Sequence, residues 1–432
     1  MYKRLTDYFR KSEKVKSDFK IGVEFEHFIV KKKTFEAVNY SQKNGIKEIL
    51  SLLVDNYDWN PLYNGSNIVG LEKRDINISL EPAGQIEISI APKKTVLEIE
   101  SIYTSALYEI MSELSKFDYD LLALAYQPKT SINQIPLIPK KRYYKMYDYF
   151  KKTGSMAHNM MKGTASIQIA IDYFSERDFC RKIRLAYRLT PLIALLFDNS
   201  LFFETQPYKK NLLRQTIWNN CDDERCGFIP GVFSSNFGYK KYSEYMLDMS
   251  PIFILDKSDN IVDWQQPLKD IYDEKWTYKQ FRHIFSMHFP TVRARNYIEI
   301  RSADALPYPV NLCLLYLVQL IFYNPEVTDF LDLLLANIKE KEITESINDI
   351  TNNGFNASYN NKPLTYYFDK IKDIITINLN CTNRNYLEFI CLLIEKKKSY
   401  KDLLLDHFDD YDSLLRTISI SHLIRCQSCA HL

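Results

Sequence analysis

Glycine is scarce in this 432-residue chain: 11 residues, about 2.5% against the ~7% usual in globular proteins. The sequence contains no G-x-G-x-x-G and no G-x-x-x-x-G-K-[ST], so neither common glycine loop cradles a phosphate. Any nucleotide bound here must be held by metals and arginines instead. Net charge is also small: 56 Lys plus Arg stand against 54 Asp plus Glu, leaving +2. Such a balance gives no global field to recruit nucleic acid or an anionic membrane. No apolar run reaches the ~18–20 residues a membrane span needs. The longest, Val310–Phe322, is interrupted by Asn311 and Gln319 and reads as a buried helix. The basic N-terminal segment also carries Asp7, Glu13 and Asp18 with no apolar stretch behind it. That argues against a secretory signal or transit peptide, and the segment reads as a solvated helix. Eight cysteines dispersed over the chain fit reduced thiols, and the expected location is the cytoplasm.

With 46% hydrophobic and 25% charged residues, the composition is that of a folded globular protein of one large or several smaller domains. Helical spacing is clearest over Val96–Phe117, where Leu97, Ile99, Ile102, Leu107, Ile110 and Leu114 recur. A second helix is expected over Glu176–Phe197, adjusted at Pro191. From Asn324 the pattern turns helical and charged to about Arg416, broken by an Asn-rich loop over Asn352–Asn361. Short alternating segments between the helices predict strands, irregularly interspersed, which favours an α+β fold with an antiparallel sheet.

The alternating segments gather the chemistry. In a strand, residues two apart share a face. In Ile21–Ile29, Glu24 and Glu26 oppose Ile21, Val23, Phe25, His27 and Ile29. In Ile78–Ile90, Glu81, Gln85 and Glu87 oppose Leu80, Ile86, Ile88 and Ile90, with a bend or bulge expected at Pro82–Gly84. Gln168 and Asp172 oppose three isoleucines in Ile167–Asp172, and Glu299 and Arg301 oppose Ile298 and Ile300. Each polar face taken alone can simply meet water. Taken together, they carry Glu, Gln and Arg where a solvated sheet usually shows Lys and Thr. Glutamates at two-residue spacing repel, and an oxygen-liganded divalent cation relieves that repulsion. Four such strands side by side would form a carboxylate surface for a magnesium-nucleotide. Arg142 follows the turn-like Ile135–Pro139, and Arg214 and Trp218 precede Arg225 and Gly227. Arginine is suited to bidentate grips on carboxylate or phosphate.

Gly22–Glu26, Ile78–Ser89, Tyr126–Pro128, Pro139–Tyr143, Ile167–Ile169, Arg214–Trp218, Asp223–Arg225 with Gly227, and Glu299–Asp304 resemble, in order and spacing, the plant-type glutamate–cysteine ligases. The resemblance runs from Lys20 to Pro309. It implies a glutamine-synthetase-like antiparallel sheet forming a funnel, covered by helices. A catalytic carboxylate–amine ligase domain is expected over 1–323, and a C-terminal helical lobe and tail over 324–432. The implied reaction phosphorylates the γ-carboxylate of L-glutamate with ATP, after which the amine of L-cysteine displaces phosphate. The products are γ-glutamylcysteine, the first intermediate of glutathione biosynthesis, with ADP and phosphate. By resemblance Glu24, Glu26, Glu81, Glu87 and Glu299 bind Mg²⁺. Arg142, Arg214, Trp218 and Gln168 hold substrate, Arg301 and Arg225 contact ATP, and Arg214, Arg301 and Glu26 are catalytic. A monomer or homodimer is implied, with neither nucleic acid nor membrane as partner.

Phe25 stands where many relatives carry His between the first two glutamates, and Ala83, Ser302 and Ala305 replace glycines usual in the family. These changes alter small spaces and leave the acids intact. The alternatives are the same scaffold acting on another amine, and a nucleotide-binding regulatory protein that has kept the scaffold without the activity. Cys426 and Cys429, flanked by His422 and His431, have metal-ligand chemistry but sit at the very end of the chain. Cys221 and Cys226 are read as a reduced pair, close enough in sequence for a regulatory disulfide to be conceivable.

Overall fold

The computed structural model describes residues 2–256, 260–264, 266–271, 276–408 and 410–425. Its centre is a nine-stranded sheet. The strands are β1 (Ile21–Lys31), β2 (Asn60–Asn64), β3 (Asn67–Lys73), β4 (Ile76–Leu80), β5 (Ile86–Lys93), β6 (Tyr119–Leu122), β7 (Ser166–Ile171), β8 (Val292–Ala294) and β9 (Ile298–Asp304). They lie in the order β8-β9-β7-β1-β5-β4-β3-β2, and β6 pairs with the second half of β1. Every pairing in this sheet is antiparallel. The fold is α+β, and the four acid-bearing segments of the sequence are neighbours.

Alternation explains the sheet. Ile21, Val23, Phe25, His27 and Ile29 are all at most 3% exposed. Burying each large apolar side chain is worth ~1.5–3 kcal/mol. A one-residue slip of β1 would exchange that face for Glu24 and Glu26, so the register is strongly specified. Three helices cover the apolar face: α1 (Val96–Ser115) packs on β5 and β6, α2 (Glu176–Leu196) on β8 and β9, and α3 (Val310–Tyr323) on α1 and β7. Helix α1 starts at a capping box in which Thr95 and Glu98 satisfy each other's backbone N–H groups.

The structure corrects several local expectations. Ile78–Ile90 is a β4–β5 hairpin rather than one bent strand, with Glu81–Gln85 as its turn. Helix α2 runs unbroken through Pro191, because tertiary packing buries nearly all of its second half. The Asn-rich stretch is a helix end and a two-stranded hairpin, Ser358–Tyr359 with Lys362–Pro363. Asn360 and Asn361 turn that hairpin at φ 48° and 60°, a left-handed conformation asparagine tolerates. The N-terminal helix Lys3–Lys11 is docked rather than solvated, with Leu5 and Phe9 buried. Beyond Asn324 the described chain is mainly helical and bonds back to earlier segments, as when Arg188 Nε donates to the Ile338 carbonyl at 3.0 Å. No single described helix is long and apolar enough to cross a membrane. The described cysteines are free thiols, Cys221 and Cys226 among them. Cys426, Cys429 and His431 lie outside the described residues.

Candidate active site

The polar face of the sheet is divided by charge. On β1, Glu26 stands opposite Glu87 of β5, and Glu24 opposite Gln168 of β7. Glu26 accepts the Ser166 N–H at 2.7 Å through Oε2 and Gln168 Nε2 at 2.8 Å through Oε1. Glu87 accepts the hydroxyls of Ser79 and Ser89 at 2.9 and 3.2 Å. Glu81 sits in the hairpin turn, where its carbonyl accepts the Gly84 N–H at 2.9 Å and its N–H donates to Gln85 O at 2.9 Å. Gly84 has φ +88°, which only glycine adopts without strain. Buried Gln85 pins the turn by donating to Thr164 O at 3.1 Å and accepting the Ala83 N–H at 3.0 Å.

The other half is cationic. Arg293 faces Glu299 across the β8–β9 ladder and grips its Oε2 with Nε at 2.7 Å and Nη2 at 2.6 Å. Arg301 Nη1 reaches the same oxygen at 3.1 Å and also donates to Gln168 Oε1. Gln168 therefore joins the acid and arginine halves. Two short helices add the remaining grips, α4 (Lys141–Phe150) and α5 (Leu213–Asn219). In chain order α4 precedes α2, and α5 lies between α2 and α3. Arg142 on α4 donates to Ser286 Oγ at 3.3 Å. Arg214 on α5 donates to the Arg301 carbonyl at 2.9 Å and lies 3.9 Å from Asp304. Trp218, one turn further, lies under the Arg301 guanidinium at 5.7 Å.

These residues enclose a cavity of ≈340 Å³. Its charged lining is Glu24, Glu26, Glu81 and Glu87 against Lys140, Arg142, Arg214, Arg293, Arg295 and Arg301. Burial, then the charges of Glu87 and Glu299, push the Glu24 carboxyl up to about 8. Burial and its neighbours Glu81 and Glu26 push Glu87 up to about 8, and burial with Glu26 pushes Glu81 up to about 7. Glu26 is raised mainly by burial, opposed by Arg214. Acids held so close resist ionising until a cation joins them, so the donor set suits a hard oxygen-liganded ion. Among the described residues no three acid, His or Cys side chains converge tightly enough to hold a metal by themselves. Mg²⁺ commonly completes its shell with phosphate oxygens and water, so a sparse protein donor set is compatible with it.

Two residues differ from the sequence reading. Glu299 is not equivalent to the other four acids: Arg293, Arg295 and Arg301 outweigh its burial and hold its carboxyl at about 2. Its Oε2 is taken by two arginines, and its buried Oε1 has no hydrogen-bond partner. That oxygen lies 3.9 Å from Arg295 Nη2, and Glu299 does not line the cavity, so the structure sets it among the arginines rather than with the four cavity acids. Arg225 does not line the cavity. It is 1% exposed, bonds Asp222 at 3.0 Å and Glu224 at 3.1 Å, and also donates to Ser250 O. Arg225 therefore props its own loop, outside the cavity lining.

Arg293, Arg295 and Lys140 were not singled out from the sequence. A signal existed for the first two: Val292-Arg-Ala-Arg295 puts both arginines on one strand face just before Glu299 and Arg301. Lys140, whose Nζ donates to Leu80 O at 2.9 Å, opens the basic run from which the sequence reading singles out only Arg142.

Residues 20–357 match the glutamate–cysteine ligase family 2 model. The chloroplastic glutamate–cysteine ligase of Nicotiana tabacum is 33% identical over 312 residues, 70% of this chain and 59% of that protein. The chloroplastic ligase A of Oryza sativa subsp. japonica is 33% identical over 68% of this chain, and the Medicago truncatula ligase 30% over 86%. The chain spans about 60% of the length of the tobacco and rice proteins. In fold it is similar to the Francisella tularensis glutamate–cysteine ligase solved with AMP (TM-score 0.57, 12% identity, 96% of this chain and 90% of that one). It is also similar to a bifunctional glutathione synthetase from Pasteurella multocida (TM-score 0.52, 10% identity, 98% of this chain and 54% of that one). The plant relatives are named as chloroplastic, which corrects the expectation of a cytoplasmic protein. That expectation rested on dispersed thiols and an acid-bearing N-terminal segment, and neither specifies a compartment. A family match running from the strand that carries Glu24 and Glu26 past the strand that carries Glu299 and Arg301 leaves one assignment: this chain belongs to glutamate–cysteine ligase family 2.

Proposed function

We propose that this chain is an ATP-dependent ligase that joins the γ-carboxylate of L-glutamate to the amine of L-cysteine, the step that begins glutathione synthesis. The observation that carries this reading is the division of one cavity into a carboxylate half and an arginine half, joined by Gln168. Glu24, Glu26, Glu81 and Glu87 would hold Mg²⁺, while Glu299 holds Arg293 and Arg301 in place. Bound there, the ions neutralise phosphate charge and favour transfer of the γ-phosphoryl group. That a ligase of the same fold was solved with AMP supports nucleotide binding in this architecture.

Two steps follow from this division of labour. A γ-carboxylate oxygen attacks the γ-phosphorus of ATP, and the bond to the departing ADP oxygen breaks. Arg301 faces the phosphoryl charge, while Arg142, Arg214, Trp218 and Gln168 position glutamate. The amine nitrogen then attacks the acyl carbon, phosphate leaves with the electrons of the C–O bond, and the nitrogen gives up a proton.

The test is phosphate release from ATP with glutamate, screened across cysteine, other amino acids and simple amines. Cysteine should be the preferred acceptor. Glutamate labelled with ¹⁸O in its γ-carboxylate should pass one ¹⁸O to phosphate. Label in AMP, with pyrophosphate as co-product, would mean adenylation and overturn the proposal.

A further inference from the structure

The loop that leads into α5, Tyr208–Leu212, is held mostly from outside the sheet. Lys401, on the helix Tyr400–His407, is 2% exposed and lies beyond the family match. Its Nζ donates to the carbonyls of Tyr208 at 2.8 Å and Lys210 at 2.5 Å. Its backbone N–H donates to Asp198 O at 2.9 Å. Asp198, fully buried, accepts the Leu212 N–H at 3.1 Å through Oδ2. Asn211 is held from another helix end: its N–H donates to Thr351 O at 3.0 Å and its Nδ2 to Ile350 O at 3.1 Å. Leu212 itself is left-handed, φ 55° and ψ 46°, and immediately precedes α5. A leucine there is strained by about 1–2 kcal/mol and persists only where its surroundings impose it. Helix α5 has no side-chain cap of its own and carries both Arg214 and Trp218 into the cavity.

We propose that Lys401 is a positioning residue: with Asp198 and Asn211 it fixes the loop that aims Arg214 and Trp218, so the C-terminal helices set the substrate grip without touching substrate. The proposal rests on the ligase reading for its kinetic consequence but not for the clamp itself. A buried ammonium donating to two carbonyls is costly to remove, and its loss frees the strained loop. The same charge lies near Asp198 and Asp304, and Asp304 Oδ2 accepts the Asn199 N–H at 2.9 Å. Both ends of the Asp198–Asn199 segment thus join the clamp to the Arg214 environment.

Lys401→Met should raise hydrogen–deuterium exchange at residues 208–219 and lower kcat/KM for glutamate by about 10²-fold, the scale expected for a misplaced grip. The KM for ATP should change little. In an Arg214→Lys background the same substitution should cost almost nothing further. The control is Lys182→Met, which removes another buried ammonium, one that donates to Asp172 O at 2.7 Å. It should change stability without this kinetic pattern. If Lys401→Met fails to fold, Asn211→Ala loosens the same loop by cutting one side-chain bond and should show the same signature more weakly. Unchanged exchange at 208–219, or kinetic losses that add to those of Arg214→Lys, would overturn the proposal. Faster exchange in a protein whose wild type releases no phosphate with any amine would support the clamp and overturn the ligase reading instead.

Discussion

Arg214→Lys keeps the charge on α5 but loses the planar fork that reaches the Arg301 carbonyl and leaves Nη1 buried without a hydrogen bond. We expect kcat/KM for glutamate to fall by about 10²-fold, ~2.7 kcal/mol at 1.36 kcal/mol per decade, measured by steady-state kinetics. Glu24→Gln has a divided outcome. It removes one charge from the acid half, so Mg²⁺-dependent turnover should disappear. It also relieves repulsion by Glu87 and Glu299, so the metal-free variant should melt higher than wild type at pH 8. Turnover within a few-fold of wild type would remove Glu24 from the metal set. Glu299→Gln belongs to a different case. It strips the counter-charge from Arg293, which is 4% exposed, and breaking a buried pair costs ~3–5 kcal/mol. Its lost activity should come with a lost fold, visible as a large drop in thermal midpoint.

At the scale of elements, the β4–β5 hairpin is the piece that sets the acid half. Gly84 is conformationally required at φ +88°, whereas the close contact a Cβ would make there, Ile46 Cδ1 at 2.5 Å, is with a side-chain tip that can move aside. Gly84→Ala should cost about 1–3 kcal/mol from backbone strain and displace Glu81 relative to Glu87. The measurements are the denaturation midpoint and the Mg²⁺ dependence of kcat, and both should shift. A variant with an unchanged midpoint would mean that the turn relaxes without strain. Part of this element was visible in the sequence. Pro82 and Gly84 marked a break between two alternating runs, yet alternation alone does not distinguish a bulge from a hairpin. The difference is whether Ile78 pairs with Ile88, a contact made between strands.

For the whole molecule, the raised acids set a pH signature. Glu24 and Glu87 at about 8 and Glu81 at about 7 keep protons that the unfolded chain releases near 4.5. Between those values the folded state binds more protons, so stability of the metal-free protein should fall as pH rises from about 5 to 8. Glu299 acts oppositely: held at about 2, its contribution is present above 4.5 and is lost as pH falls toward 2. Mg²⁺ with ATP should flatten the fall on the alkaline side by stabilising the ionised acids. Thermal midpoints at pH 5, 6.5 and 8, with and without Mg-ATP, check this. A metal-free midpoint that rises over that range would contradict the picture of crowded, buried carboxylates.

The faces of Glu24, Glu26, Glu87 and Glu299 were legible in the sequence, because a two-residue period admits one arrangement once isoleucines must be buried; Glu81 was not, since it lies in a turn. Glu24 and Glu26 against Phe25 and His27 is such a case, and Glu299 and Arg301 against Ile298 and Ile300 is another. The family resemblance was likewise legible, since its motifs are local strings. What each charge does was decided only in three dimensions. Glu299 looked like the other glutamates until Arg293 paired with it across a ladder, and Arg225 looked like Arg214 until the chain turned it into a buried network of its own. Lys401 lies 187 residues from Arg214 in the chain, and no local pattern connects them. A residue's face follows from the chain's own period, whereas its ionisation and its partners follow from neighbours brought together by folding.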